Sequence, residues 1–409
     1  MLSNIIVGVI AIAAVAVVLS KRLESSTGWR ATVTPLASII GSGFLVSVPL
    51  LAAEVGSWAI AGMTVLVIAA YLVGAAIRFN IRYAEPLVAR PATGVEVRVT
   101  DSLEHLSHFV LAFAYFISVA YYLVLLGNFL LNGVGIASSA LANAIATAIL
   151  ATLGGLGFVK GLGMVERVEK YTVGINLAVI AALLGGLVWF NIDALMTGSW
   201  RLDPSGSSVD LHSIRVLLGL LIVVQGFETS RFMGDEFDAE TRIRTMRWAQ
   251  WISALVYIVF FGLMTVLFQH LDRSTGITGI IELVGQVALI LPLMLTIGAV
   301  ASQFSASVAD SVGCAGLLED ISGQRLNLKH AYPLIALVSI AIIWSTDVFR
   351  IITLASQAFA LFYLVQACVA LSIAIEMRDL RNRTGHIVLF AAVAVFCFCV
   401  VMFGIPSGG

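Results

Sequence analysis

Long apolar runs alternate with short polar connectors along the chain, at about 2–20, 33–54, 57–77, 104–131, 135–158, 168–190, 213–234, 247–269, 282–317, 332–346, 348–376 and 386–404. A bilayer-spanning helix needs about 20 mostly apolar residues, so each run is a candidate span. Gly127, Asn128, Asn132 and Gly133 blur the edge between the fourth and fifth runs, and Trp344–Asp347 is a second soft boundary. The first run has no positive segment ahead of it. It ends at Lys21-Arg22 without a small-residue cleavage site, and so reads as a retained span.

Composition agrees with this pattern. A chain of 409 residues has room for two or three soluble domains, but 60% of it is hydrophobic and 11% charged. Globular proteins run nearer 45–50% and about 25%. The expected fold class is therefore an all-α polytopic membrane protein of about 12 transmembrane helices, with no large soluble domain. With 23 basic and 24 acidic residues the chain has no basic footprint for nucleic acid. Its expected partners are the lipid bilayer and a small-molecule solute. Cys314, Cys368, Cys397 and Cys399 lie in apolar stretches and read as small buried hydrophobes. The six histidines have no metal-ligand spacing.

Charge asymmetry gives an orientation. If the N-terminus is outside, alternate connectors carry 19 of the 23 basic residues. They are Lys21, Arg22, Arg30, Arg78, Arg82, Arg90, Arg98, Lys160, Arg167, Lys170, Arg231, Arg242, Arg244, Arg247, Arg325, Lys329, Arg378, Arg381 and Arg383. Only Arg201, Arg215, Arg273 and Arg350 fall on the other face. The positive-inside rule makes the first face cytoplasmic and puts both termini outside. The expected location is a bacterial inner membrane.

Two runs are interrupted by glycine and polar residues. The second holds Pro35, Ser38-Ile39-Ile40-Gly41-Ser42-Gly43, Pro49 and Glu54; the seventh holds Gly219, Gln225-Gly226-Phe227-Glu228, Arg231 and Gly234. Five spans apart, they enter the bilayer from opposite sides. Paired interruptions of this kind point to a transporter site, where unwound backbone offers N–H groups and carbonyls to a bound solute or ion. The alternative is that these glycines are close-packing positions between helices.

The segment Ser38–Phe44 is similar to the first-helix signature of the amino acid–polyamine–organocation (APC) superfamily. Gly226-Phe227-Glu228 with the following acidic and basic stretch resembles the sixth-helix region of its permeases. The resemblance implies the ten-helix inverted repeat of the leucine-transporter fold. Residues 1–30 would then be an extra N-terminal helix and linker, and 31–192 a first five-helix repeat broken at 38–44. Residues 193–378 would be a second, inverted repeat broken at 224–229, and 379–409 an extra C-terminal helix. An extra leading helix is more like the sodium–solute symporters. Ala301-Ser302-Gln303-Phe304-Ser305 is likewise similar to their eighth core helix. That likeness implies a sodium ion held by Ala301, Ser305 and the Ile40 backbone, with Phe304 where a further hydroxyl is usual. Some permeases place a lysine of the fifth core helix in this position, and here Asn176 aligns with it. Sodium and proton coupling both stay open.

Ionisable residues inside a membrane are functional candidates by default. Glu228 at the break can bind a cationic group, take a proton or brace the unwound segment by hydrogen bonding. Asp310, five residues beyond Ser305, is a candidate for coupling or gating. Glu54 reads as an outer gate or interface charge. Asp235, Glu236, Asp238 and Glu240 face Arg231, Arg242, Arg244 and Arg247 as a salt-bridged loop. Gln225, Phe227 and Tyr121 join Ser38, Gly41, Ser42, Gly43, Gly226 and Glu228 as candidate solute-binding residues, with Tyr115, Tyr122, Phe359 and Phe362 as further aromatic wall. The half-helix end around Gly41–Gly43 is expected to hold a carboxylate. The function expected is a secondary active transporter for a small polar solute, such as an amino acid or related amine. No cofactor is expected apart from a possible sodium ion. A sodium–solute symporter-like carrier of another organic solute is an alternative. A membrane enzyme, sensor or channel is less favoured, because no catalytic cluster, output domain or continuous polar pore is apparent.

Overall fold

A computed structural model describes residues 2–88, 95–202, 209–270 and 273–407 of the chain. Arg90 lies outside them, as do the side chains of Ser42, Arg98, Arg167 and Lys170. Among the described residues there is no strand. The helices are α1 (Leu2–Val18), α2 (Lys21–Glu24), α3 (Thr27–Val55), α4 (Ala59–Val88), α5 (Val95–Gly133), α6 (Ser139–Lys160), α7 (Gly163–Thr197) and α8 (Leu211–Gly219). They continue with α9 (Ala239–Met264), α10 (Gly279–Gly285), α11 (Leu291–Ile321), α12 (Leu328–Ser345), α13 (Val348–Glu376) and α14 (Arg383–Phe403). All except α2, α8 and α10 are long and apolar enough to cross a bilayer, α3 and α4 forming one run from Thr27 to Leu87. With α8 and the 3-10 turns after it, the described residues contain twelve spanning segments.

Polar side chains set where these helices begin. Ser26, Ser138, Asp210, Asp238, Asn327 and Asp347 each stand at the N-cap of α3, α6, α8, α9, α12 or α13 and accept the backbone N–H three residues on. Each thereby satisfies one of the N–H groups a helix start leaves unpaired. Asp238 accepts from the Thr241 N–H at 2.9 Å and from its hydroxyl at 2.8 Å, which holds its carboxyl below the usual value of 3.8. The stabilisation from this cap is full above pH 3.8 and is lost as pH falls through the lower native value.

Two expectations change. The ninth span was expected to run from 282 to 317, but α10 is a separate helix and α11 starts only at Leu291, with Pro292 in its first turn. A proline near the start of a helix loses no hydrogen bond, because the first N–H groups are unpaired anyway. The second change concerns α3. It is helical from Thr27 to Val55 with Pro35 and Pro49 inside it, so the break expected at 38–44 is absent. Its glycines are crossing points instead. A Cβ on Gly43 would lie 2.3 Å from Val223 Cα, and one on Gly41 would lie 2.8 Å from Ser302 Oγ. The close-packing reading therefore accounts for both residues.

The seventh span breaks as expected. After α8 come a 3-10 turn at Leu221–Val224, an extended Gln225, Gly226 at φ +116°, and a second 3-10 segment at Phe227–Phe232. A side chain at Gly226 would be strained, and its Cβ would sit 2.6 Å from Ser38 Oγ. The break is thus pressed against the middle of α3.

The packing of the other helices has an internal correspondence. α3 packs on α9 as α4 packs on the broken span, and α5 packs on α13 as α11 packs on α7. α5 with α11 and α6 with α12 close the pattern on themselves. α1 leans mainly on α7, and α14 on α13. The chain beyond α14 also grips α8: Ile405 N–H donates to Arg215 O at 3.1 Å, Arg215 Nε donates to Phe403 O at 3.1 Å, and a Cβ on Gly219 would meet Ile405 O at 2.2 Å.

Gly43→Ala forces a methyl into the α3–broken span crossing and is expected to lower stability by about 1–3 kcal/mol. Thermal unfolding in detergent checks this. Gly155→Ala, where a Cβ meets nothing within 4 Å, is the control and leaves the midpoint unchanged or raised.

Candidate functional site

Unwinding the seventh span leaves backbone polar groups that lipid cannot satisfy, so neighbouring helices must. α13 supplies one such partner and braces two of the segment's side chains. Ser356 Oγ accepts the Ile222 N–H at 2.9 Å, and the Tyr363 hydroxyl donates to Glu228 Oε2 at 2.6 Å. Gln366 Oε1 accepts from Arg231. Residues 356, 363 and 366 lie on one face of a helix. From α9, the Tyr257 hydroxyl contacts Val223 O and, at 3.1 Å, Ile39 O. It thereby ties the break to α3.

Glu228 is 2% exposed and closes the break on itself, Oε2 accepting the Gly226 N–H at 3.0 Å. The structural hydrogen bond expected for this residue is present, with Tyr363 as a second donor. Gln225 is buried; its Nε2 lies 3.4 Å from the Tyr122 hydroxyl and its Oε1 3.5 Å from that of Tyr363. Phe227 stacks on Tyr363 at 5.2 Å between centroids and 18° between planes. Phe359 adjoins Tyr363 at 6.4 Å and Tyr115 at 6.1 Å, while Tyr121 adjoins Tyr122 at 5.1 Å. The expected aromatic residues therefore gather here. The sequence reading missed Tyr363 at their centre, whose only signal was its place on the polar stripe of α13.

A cavity of about 60 Å³ lies beside the break. α3 contributes Thr34 and Ser38, α7 contributes Thr172 and Asn176, and the broken span contributes Thr229. Ser302, Ser305 and Asp310 come from α11. About 10–15 Å³ of such volume holds one water, so the space has room for a small cation with several waters. Of the residues expected around sodium, Asn176 and Ser305 line it. Ile40 and Ala301 do not, because the wall from α3 is formed by Ala37 and Ser38 and that from α11 starts at Ser302. Ser38, expected at the solute, faces the cavity instead, and so does Asp310, which also accepts from the Ser118 hydroxyl. The lining of oxygen-bearing side chains with one carboxylate fits a hard cation. Gly41–Gly43 presents no unwound end for a carboxylate, since α3 is helical there.

The polar loop also departs from expectation. Arg231 and Arg242 do not pair with the acidic residues next to them. Arg242 grips Glu85 of α4 with two bonds of 3.0 and 2.6 Å, and Arg231 NH2 meets Glu104 of α5 at 2.8 Å. Glu236 and Glu240 instead reach Arg30 at 3.5 Å and Arg82 at 2.5 Å on the surface. At the opposite end Glu54 lies 3.7 Å from His212 Nε2.

Residues 21–404 match a family model described as an APC superfamily transporter. The chain belongs to that family. This APC superfamily transporter is 40% identical over 387 residues to an uncharacterised protein of Aquifex aeolicus (strain VF5), covering 94% of this chain and 93% of that one. Among solved structures it is similar to a substrate-bound, outward-open Na+-coupled sialic acid symporter (TM-score 0.48, 14% identity, 100% of this chain and 98% of that chain). It is also similar to Mhp1, a nucleobase-cation-symport-1 family transporter, in a closed form with bromovinylhydantoin bound (TM-score 0.44, 16% identity, 91% and 90% coverage).

Tyr363→Phe deletes the hydroxyl that donates to Glu228. A buried hydrogen bond to a carboxylate contributes about 1.5–3 kcal/mol. Thermal unfolding is expected to show a loss of that size, with the fold retained because the stacked ring stays.

Proposed function

We propose that this APC superfamily transporter is a secondary active carrier working by alternating access. It takes up a small polar solute, an amino acid or related amine, with a cation as co-substrate. The observation that carries the reading is the cavity under Ser38. It joins hydroxyls of α3, α7, α11 and the broken span to the Asp310 carboxylate, beside a break whose backbone is held by side chains rather than by its own helix. Half-helices meeting at mid-membrane are how such folds bind ions and solutes together.

In this reading sodium enters the cavity among Ser38, Ser302, Ser305 and Asn176, and Asp310 balances its charge. The solute's amine is drawn to Glu228 and Gln225, and Phe227 with Tyr363 and Tyr121 walls its carbon skeleton. The two sites share the α3–break crossing, so filling one stiffens the other. The two five-helix repeats, 31–192 and 193–378, each contribute helices to the part that moves, α3 and α4 packing with α9 and the broken span. Because 19 of the 23 basic residues lie on connectors at one end, that end is cytoplasmic and both termini are outside.

Reconstituted protein is expected to accumulate radiolabelled amino acids or amines when a sodium gradient is imposed. Accumulation driven only by a pH gradient would replace sodium by the proton, and uptake indifferent to both would sink the symport reading. Sodium is also expected to raise the thermal midpoint of the parent, and Ser305→Ala to weaken that shift. No sodium effect on the parent would remove the cation site.

A further inference from the structure

Below the break, at the end where the basic residues gather, four charged side chains meet away from solvent. Arg231 and Glu104 have side chains only 8% and 5% exposed, Arg242 6% and Glu85 28%. Two positive and two negative groups make the cluster neutral. Arg231 is its hub. NH2 binds Glu104 Oε2 at 2.8 Å, NH1 donates to Gln366 Oε1, and Nε stands 3.9 Å from Glu85 Oε1. Asn80 Nδ2 donates at 2.8 Å to both the backbone and side-chain oxygens of Gln366.

The partners divide by helix. Arg231 belongs to the broken span, which packs with α3, α4 and α9 and also with α13; Glu85 is on α4 and Arg242 on α9. Glu104 and Gln366 are on α5 and α13, which pack on each other. The contact of Arg231 with Glu104 therefore reaches a helix, α5, whose main packing is with α11 and α13. Its approach to Glu85 stays within the group of α4, α9 and the broken span, and Gln366 stands on the helix that touches both. Backbone geometry aims it there. In a 3-10 helix residues three apart eclipse, so Glu228 and Arg231 project on one line and meet Tyr363 and Gln366, also three apart, on α13.

The cluster is incompletely satisfied on both sides of Arg231. Glu104 Oε1, Asn80 Oδ1 and Ser230 Oγ are buried without a hydrogen-bond partner. Buried polar atoms are normally paired, so three orphans around one arginine mark an arrangement short of its deepest minimum. Glu85, by contrast, has both oxygens engaged by Arg242.

We propose that Arg231 is a two-partner latch. In the arrangement seen here it ties the broken span to Glu104 and Gln366 and shuts the basic end below Glu228. When that end opens, Arg231 leaves with its helix group and passes to Glu85, which moves with it and keeps the charge compensated. A released arginine without such a partner would be a buried unpaired charge, which is far costlier. The latch rests on the alternating-access reading above.

The test is the rate at which a water-soluble maleimide labels the thiol introduced by Ser230→Cys, a position now 1% exposed. It is done in detergent so that both faces are wetted, with the parent's own cysteines as background. Glu104→Gln is expected to speed labelling about tenfold, a shift of about 1.4 kcal/mol toward the open form. Glu85→Gln is expected not to speed it, because it removes the open form's partner. No acceleration by Glu104→Gln, or acceleration by both substitutions, overturns the latch. If Glu104→Gln does not fold, Arg231→Gln with Glu104→Gln removes both charges. That double substitution is expected to accelerate labelling as well, and labelling at the parent's rate would overturn the proposal. Labelling reads the latch without any solute, so a parent that fails to transport refutes the transport reading separately.

Discussion

The structure depends on one debt incurred inside the bilayer: the seventh span gives up its own helical hydrogen bonds between Gly219 and Phe232. Nothing in a hydrocarbon layer can replace them. Ser356 on α13 takes the Ile222 N–H, Glu228 takes the Gly226 N–H and Tyr257 on α9 binds the Val223 carbonyl. Tyr363 and Gln366 on α13 brace the Glu228 and Arg231 side chains, and the spacing of these residues fixes how α13 and α9 must lie against the break. Helix α3 then has no freedom left. Gly43 must face the break and Ser38 must face Gly226, because no larger residue fits at either glycine.

The membrane class and the twelve spans were legible in the sequence because each span is written as a long apolar run. The break in the seventh span was also legible, since Gln225-Gly226 and Glu228 have no place in an uninterrupted membrane helix. The break assigned to α3 was not, and the reason is physical. Glycine serves an unwound turn and a tight helix crossing equally well, and only the partner distinguishes them. For Gly41 and Gly43 the partners are Ser302 and Val223, far away in the chain.

The site was legible in part. Glu228, Gln225, Phe227, Asn176, Ser305 and Asp310 all fall at the break or its adjoining cavity. What escaped were residues whose own neighbourhoods looked ordinary. Tyr363 and Tyr257 are aromatic residues in apolar helices, and only their long-range hydroxyl bonds set them apart. Glu104 and Glu85 sit near helix ends, where a carboxylate reads as solvated. Charges next to one another in sequence suggested local pairs for Arg231 and Arg242. Folding instead carried the partners in from α4 and α5, because the 3-10 turns aim Arg231 into the bundle rather than along the loop.

The grip between α8 and the chain after α14 gives the twelfth span a part beyond covering α13. Through Ile405, Phe403 and Gly219 the first half of the broken span is fastened to the segment around the end of α14. Any tilt of α8 must drag that segment along or break two hydrogen bonds, one from the Ile405 N–H and one from the Arg215 side chain. The segment after α14 is thus a lever arm on the broken span, and a fluorophore carried there would report its movement from a distance.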